Sequence, residues 1–223
     1  MLSASLDSAM SNSLAFTDHS DLEDLRAFLS RAHKLDSDGA VKLRVFGDVL
    51  AVYVSPIFSG SLLGDGPTVL GLRTMKLATQ AELDGTFDIA AVLERIPRSE
   101  LSLTIPPAQV RAAWSGVLPP RQGWELVGTL TQEKITEWAK AGIEEVATSL
   151  PESVGSSIAA KVRLQIWGRA VDPELNLPGA AAFAMAGLGF MQKGEVVNVY
   201  VSHNWLRLTS LHGHVLSKKA SAI

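Results

Sequence analysis

The chain has 223 residues, 47% of them hydrophobic and 19% charged, which suffices for one large domain or two small ones with real cores. A formal net charge of −3 offers no long-range attraction to phosphate backbones or anionic lipid, so nucleic acid is disfavoured as a partner and no membrane is expected. Cysteine is absent, which removes disulfides, thiolate nucleophiles, Cys-bearing zinc sites and iron–sulfur clusters and reads as a cytoplasmic protein.

Residues 1–17 are rich in Ser and lack Lys and Arg, and they read as a flexible leader. Ser20 and Glu23 form a capping box, and Leu22, Leu25, Phe28, Leu29, Ala32 and Leu35 then recur at helical spacing. Val41, Leu43 and Val45 alternate with Lys42 and Arg44, Gly47-Asp48 supplies a turn, and Leu50, Val52 and Val54 complete a hairpin. A loop over 55–67 leads to a β-like run over 68–77. A short helix near Ile89, a strand at 101–105 and a helix opening at Pro107 follow.

Gly116, Pro119, Pro120 and Gly123 mark a linker over 116–123, which separates an N-terminal α+β domain, 18–115, from a C-terminal domain, 124–223. After a strand from Trp124, Ile135, Trp138, Ala139, Gly142, Ile143, Val146, Ala147 and Leu150 form one helical stripe that calls for a core beneath it. Ser149, Pro151 and Glu152 signal a further helix start, and 161–168 suits helix or strand. A helix over 179–190 carries no charge on any side, so either the core or a partner covers it. At about 15 apolar or small residues, this stretch is too short to span a bilayer. Strands near 196–201, 205–209 and 215–217 end the chain as a meander, with no internal repeat evident. The fold class is therefore α+β: an N-terminal helix with a mostly antiparallel sheet, then a helix-rich part closed by a small antiparallel sheet.

The segments Trp167-Gly168-Arg169, GAAAFAMAGLGF, NWLRL and GHVL, together with LGDGPTVLGLR from Leu63 to Arg73, resemble an uncharacterised family of actinobacterial proteins. The resemblance covers separated pieces of the chain and implies no catalytic residues.

Motifs with chemical meaning are few. Gly60, Gly64 and Gly66 follow a strand, as a phosphate cradle would, but no Lys-Ser/Thr follows and a strand replaces the helix. His203, His212 and His214 would sit at opposite ends of one strand, which does not converge on a metal. No serine occupies a nucleophile elbow, and no spacing singles out an acid and base pair. Hence no catalytic residue, metal or cofactor is assigned.

What remains is apolar and aromatic surface. Ile57, Phe58, Leu62 and Leu63 in the 55–67 loop, and Phe183 and Met185 on the uncharged helix, are candidate interaction residues. The pairs Trp167 with Arg169 and Trp205 with Arg207 join them, since Trp and Arg are enriched at interfaces. The preferred reading is a non-enzymatic interaction or regulatory protein that binds itself or another protein. The alternative is a small-molecule-binding protein or enzyme with a pocket between the two domains, roofed by Leu62 and Leu63.

Overall fold

A computed structural model of the chain describes residues 12–58, 67–150 and 155–218. The first helix, α1 (His19–Leu35), buries Leu22, Leu25, Phe28, Leu29 and Ala32, the stripe its periodicity marks. Its cap lies two residues before the expected one. Asp18 is the N-cap and accepts the Asp21 backbone N–H at 3.2 Å, while the Ser20 hydroxyl donates to the same carboxylate.

The hairpin forms as expected between β2 (Ala40–Phe46) and β3 (Val49–Ile57), with Val45 opposite Leu50 and Gly47 at φ 66° in the turn. β4 (Thr68–Lys76) pairs with β3, and an unforeseen strand, β5 (Asp84–Asp88), pairs with β2. The short α2 (Ile89–Leu93) follows, capped by Asp88.

Two local expectations fail for tertiary reasons. Part of the supposed leader forms a strand, β1 (Ser13–Ala15), paired with β6 (Ser102–Thr104), and Leu14 and Phe16 are buried in the core. The helix expected from Pro107 does not form, because the chain there lies along β5 instead. Val110 donates its backbone N–H to Thr86 O at 2.8 Å, and the Gln109 side chain accepts the Thr86 N–H. A single 3-10 turn at Ala113–Gly116 is the only helical geometry in that stretch.

In the second half, β7 (Glu125–Thr131) leads into α3 (Gln132–Ser149), and α4 (Ser156–Gly168) resolves 161–168 as helix. The second capping box, at 149–152, runs into residues outside those described. A small hairpin, β8 (Ala170–Asp172) with β9 (Leu177–Pro178), precedes α5 (Gly179–Gly187). The meander is β10 (Val196–Ser202), β11 (Trp205–Ser210) and β12 (Gly213–Lys218).

The α+β class and the antiparallel pairing are as expected, but the closing meander is not a separate small sheet. β12 pairs with β4, with Val215 opposite Gly71, so one eight-stranded sheet runs in the order β5-β2-β3-β4-β12-β11-β10-β7. About the β4–β12 seam the halves mirror each other, since α1-β2-β3-β4 corresponds to α5-β10-β11-β12. That repeat is invisible in the sequence because the equivalent helices differ: α1 is charged on its outer side and α5 is not.

Both helices lie on one face of the sheet, and the Phe28 and Phe190 rings stack there at 5.3 Å. α5 rests on β4 and β12 beside α1, and α3 covers it from outside. Its lack of charge follows directly: Ala180, Ala181, Ala182, Ala184 and Met185 are all fully buried. The opposite sheet face carries Ala51, Tyr53, Leu70, Trp205 and Leu216 and is covered in part by Trp114, which is buried beside them.

Candidate functional site

The stripe on α3 is longer than its cover. At about 1.5 Å per residue, an 18-residue helix runs ~27 Å, while the nine residues of α5 span ~13 Å. Ile135 and Ala139 are buried, whereas Ile143 is 49% exposed and Val146 is half-buried. Thus the expectation that the whole stripe lies on a core holds only for its first half.

Beyond the overhang lies a groove of about 840 Å³, walled by Ile143 and Val146 of α3, Leu164 and Trp167 of α4, Phe183 of α5, and Ile57, Phe58 and Trp114 from the first half. Its polar lining includes Asp36, Ser55 and Arg163, and Ser55 Oγ is engaged with Val69 O at 3.0 Å. Trp167 forms one wall because α3 has glycine, Gly142, where a Cβ would overlap the indole. The ring is held from the other side by Phe183, centroid to centroid 4.6 Å. Arg169, just past α4, ties that helix to α3 through Glu145 at 2.5 Å.

The sequence-derived candidates therefore do not form one surface. Ile57, Phe58, Trp167 and Phe183 converge on the groove, with Arg169 bracing its α3–α4 wall. Met185 is fully buried on α5 and belongs to the core rather than to any surface, because α5 is enclosed between sheet and α3. Leu62, Leu63 and the glycines of their loop lie outside the described residues.

Trp205 and Arg207 do not line the groove. Trp205 is buried, and the Arg207 guanidinium sits 4.5 Å from the ring centroids of both Trp124 and Tyr200. Burial lowers the Arg207 pKa from its ordinary value, and the two π faces take the place of a carboxylate. Ile143, Val146, Leu164 and Trp114 went unassigned to any surface from the sequence. The α3 stripe marks Ile143 and Val146 as apolar, but no local signal marks Leu164 or Trp114, which other elements bring to the groove.

The histidines are dispersed by β11. His203 is in the turn before it and His212 in the turn after it, while His214 on β12 pairs with Thr209 Oγ1 at 3.1 Å. Burial, with Arg207 and Arg73 nearby, depresses the His214 pKa from 6.5 to about 4. The folded state thus holds this imidazole neutral where the unfolded chain would protonate it. Stability from this group is present above about pH 6.5 and falls as pH drops towards about 4. A His214→Gln variant should show a shallower loss of chemical-denaturation stability than the parent across that window; equal slopes would contradict the assignment.

A mixed α/β protein with one long antiparallel sheet and an apolar groove beside it is the class these features define. Residues 10–116 match a model described as a domain of unknown function, DUF8010, and residues 119–222 match a second, DUF8185. No curated protein matches. These matches agree with the resemblance to an uncharacterised family.

Among solved structures, the chain is similar to a DNA polymerase sliding clamp from Caulobacter crescentus, at 12% identity and TM-score 0.49, over 96% of this chain and 66% of that one. It is also similar to a DnaN sliding clamp from Bartonella birtlesii, at 9% identity and TM-score 0.49, over 95% and 65%. A clamp from Pseudomonas aeruginosa gives 14% identity and TM-score 0.46, over 91% and 64%. The chain thus spans slightly under two thirds of the length of these clamps.

The solved structures to which the chain is similar are DNA polymerase sliding clamps, and the expectation that nucleic acid is disfavoured as a partner is withdrawn. The physical reason is that a net charge of −3 sums the whole surface and conceals its distribution. Arg44 and Arg121, for example, both lie over the Phe46 ring, at 4.8 and 4.7 Å. Among the described residues no helix is long and apolar enough to cross a membrane.

Proposed function

We propose that this chain is a non-enzymatic cytoplasmic interaction protein that takes an apolar segment of a partner protein into the groove between its halves, 18–115 and 124–223. The observation that carries the reading is the overhang of α3, which presents Ile143 and Val146 opposite Phe58 and Leu164 with no part of the described chain seated between them. Rows of apolar side chains with a few polar groups suit a partner that inserts anchors at helical or extended spacing. Arg163 and Asp36 at the lining would orient such a segment rather than supply most of its affinity.

The test is selection of random short peptides on the full chain, followed by binding to an Ile143→Glu variant. Ile143 is half exposed, so the variant should fold. Peptides bearing apolar anchors should bind the parent and lose roughly tenfold in affinity or more, about 1.4 kcal/mol, on the variant. Recovery of no such peptides, or binding indifferent to Ile143→Glu, would remove the reading. Light scattering on the free protein distinguishes a second copy as the occupant. Duplex DNA belongs in the same panel; binding of DNA alone would replace the groove as the seat of function.

A small-molecule ligand is the second reading, favoured by the volume, which falls within the roughly 300–1,000 Å³ of ligand pockets. A thermal-shift screen of apolar metabolites would support it if stabilisation is saturable and lost in Ile143→Glu.

A further inference from the structure

A second, smaller cleft opens where α1, the end of α5, β4 and the β11–β12 turn meet, and it shares no lining residue with the groove. Its wall is formed by Asp24 and Arg31 of α1, Arg73 of β4, Gly189 just past α5, and His212 of the turn. We propose that this cleft binds a phosphate group through Arg31, Arg73 and His212.

Two independent features point to a ligand. The His212 Nε2 atom is buried and has no hydrogen-bond partner among the described residues, although the same residue's backbone is fully used: its N–H donates to Ser210 Oγ at 3.1 Å and its carbonyl accepts from Arg73. A buried nitrogen without a partner is costly unless something fills the space it faces. Arg31 is exposed, and its guanidinium is held by packing rather than by a carboxylate. It lies against the backbone of Gly189, where φ is 68° and any Cβ would collide with it. Among the described residues Arg31 has no ion pair, so its five N–H donors remain for a ligand.

Charge and size then select the class. Arg73 is paired with Asp24 and with the His212 carbonyl, which fixes its fork but leaves three of its five donors. With Asp24 counted against the two arginines, the cleft carries a formal charge of about +1, which attracts an anion. Its volume is about 50 Å³, and at roughly 10–15 Å³ per water-sized occupant it holds three to five heavy atoms. A tetrahedral oxyanion fits that count, and planar guanidinium forks match its oxygens two at a time.

The phosphate could be free or part of a nucleic-acid backbone, and one experiment separates the sources. The parent and an Arg31→Gln variant are heated in increasing inorganic phosphate at constant ionic strength, and are titrated separately with a short DNA duplex. The exposed, unpaired Arg31 makes this variant one that should fold with the parent's melting temperature in phosphate-free buffer. A saturable rise in melting temperature with phosphate, absent from Arg31→Gln, establishes the site for the free ion. Duplex binding weakened about tenfold in the variant, without a phosphate effect, establishes the backbone as the source. Equal responses of the two proteins in both arms would reflect general salt stabilisation and surface charge, and would overturn the proposal. A His212→Gln variant with the same loss of response ties the effect to this cleft rather than to α1 alone.

Discussion

Replacing Met185 with alanine should lower the unfolding free energy by about 3 kcal/mol, within the range of roughly 2–5 kcal/mol for truncating a fully buried Met, Leu or Ile. In a chain of this size that corresponds to a fall in melting temperature of about 6–12 °C. The size of the effect follows from position. Met185 has no exposed surface, and it sits on the helix that separates the sheet from α3. Its neighbours Ala181, Ala182 and Ala184 hold the backbones close and have no atoms with which to fill a hole. Phe183→Ala is the internal comparison. Phe183 faces the groove and is only partly buried, so it should cost less stability yet weaken whatever the groove binds. A loss below about 1 kcal/mol at Met185, measured by urea unfolding, would mean that α5 is not enclosed as described.

Gly142→Val should be comparably damaging, by about 2–4 kcal/mol, and should also disable the groove. Two effects oppose each other at this position. In an exposed helix interior, exchanging glycine for alanine gains about 1 kcal/mol. Here the added Cβ would enter the Trp167 ring, and that ring cannot swing aside because it is buried and packed at a tilt against Phe183. α3 would have to lift from α4, which also strains the Arg169–Glu145 pair. Overlap should therefore outweigh propensity. The alanine variant is the sharper measurement: if Gly142→Ala raises the unfolding midpoint, steric closeness is not what holds these helices together.

Much of the fold was legible because short-range periodicity is a local property. The stripe on α1, the β2–β3 hairpin around Gly47 and the three terminal strands follow from spacing alone. Where the reading failed, a distant partner had overruled local preference. β5 took the backbone of residues 109 and 110 away from the helix that Pro107 could have opened, and β6 drew residues 13–15 into a strand.

The candidate groove was legible only in pieces. Ile57, Phe58, Trp167 and Phe183 stood out as apolar or aromatic residues in conspicuous settings, and they do meet around one groove. Ile143 and Val146 did not, because a sequence stripe shows that a face is apolar without showing how far its cover extends. Nothing in the sequence joined Arg31, Arg73 and His212 into one cleft, since they lie on three separate elements and His212 stood out only beside His203 and His214.

By itself, the sequence determined the strongly periodic helices and strands, which of their faces are apolar, that cysteine chemistry is absent, and that the 179–190 stretch must be covered. Only the tertiary structure decided what covers it. It joined β4 to β12 into one sheet, set the short α5 under the longer α3, and left the remainder of α3 facing a groove. The division has a simple cause: periodicity records the exposure of each residue along its own element, whereas sites arise from the relative lengths and positions of elements far apart in the chain.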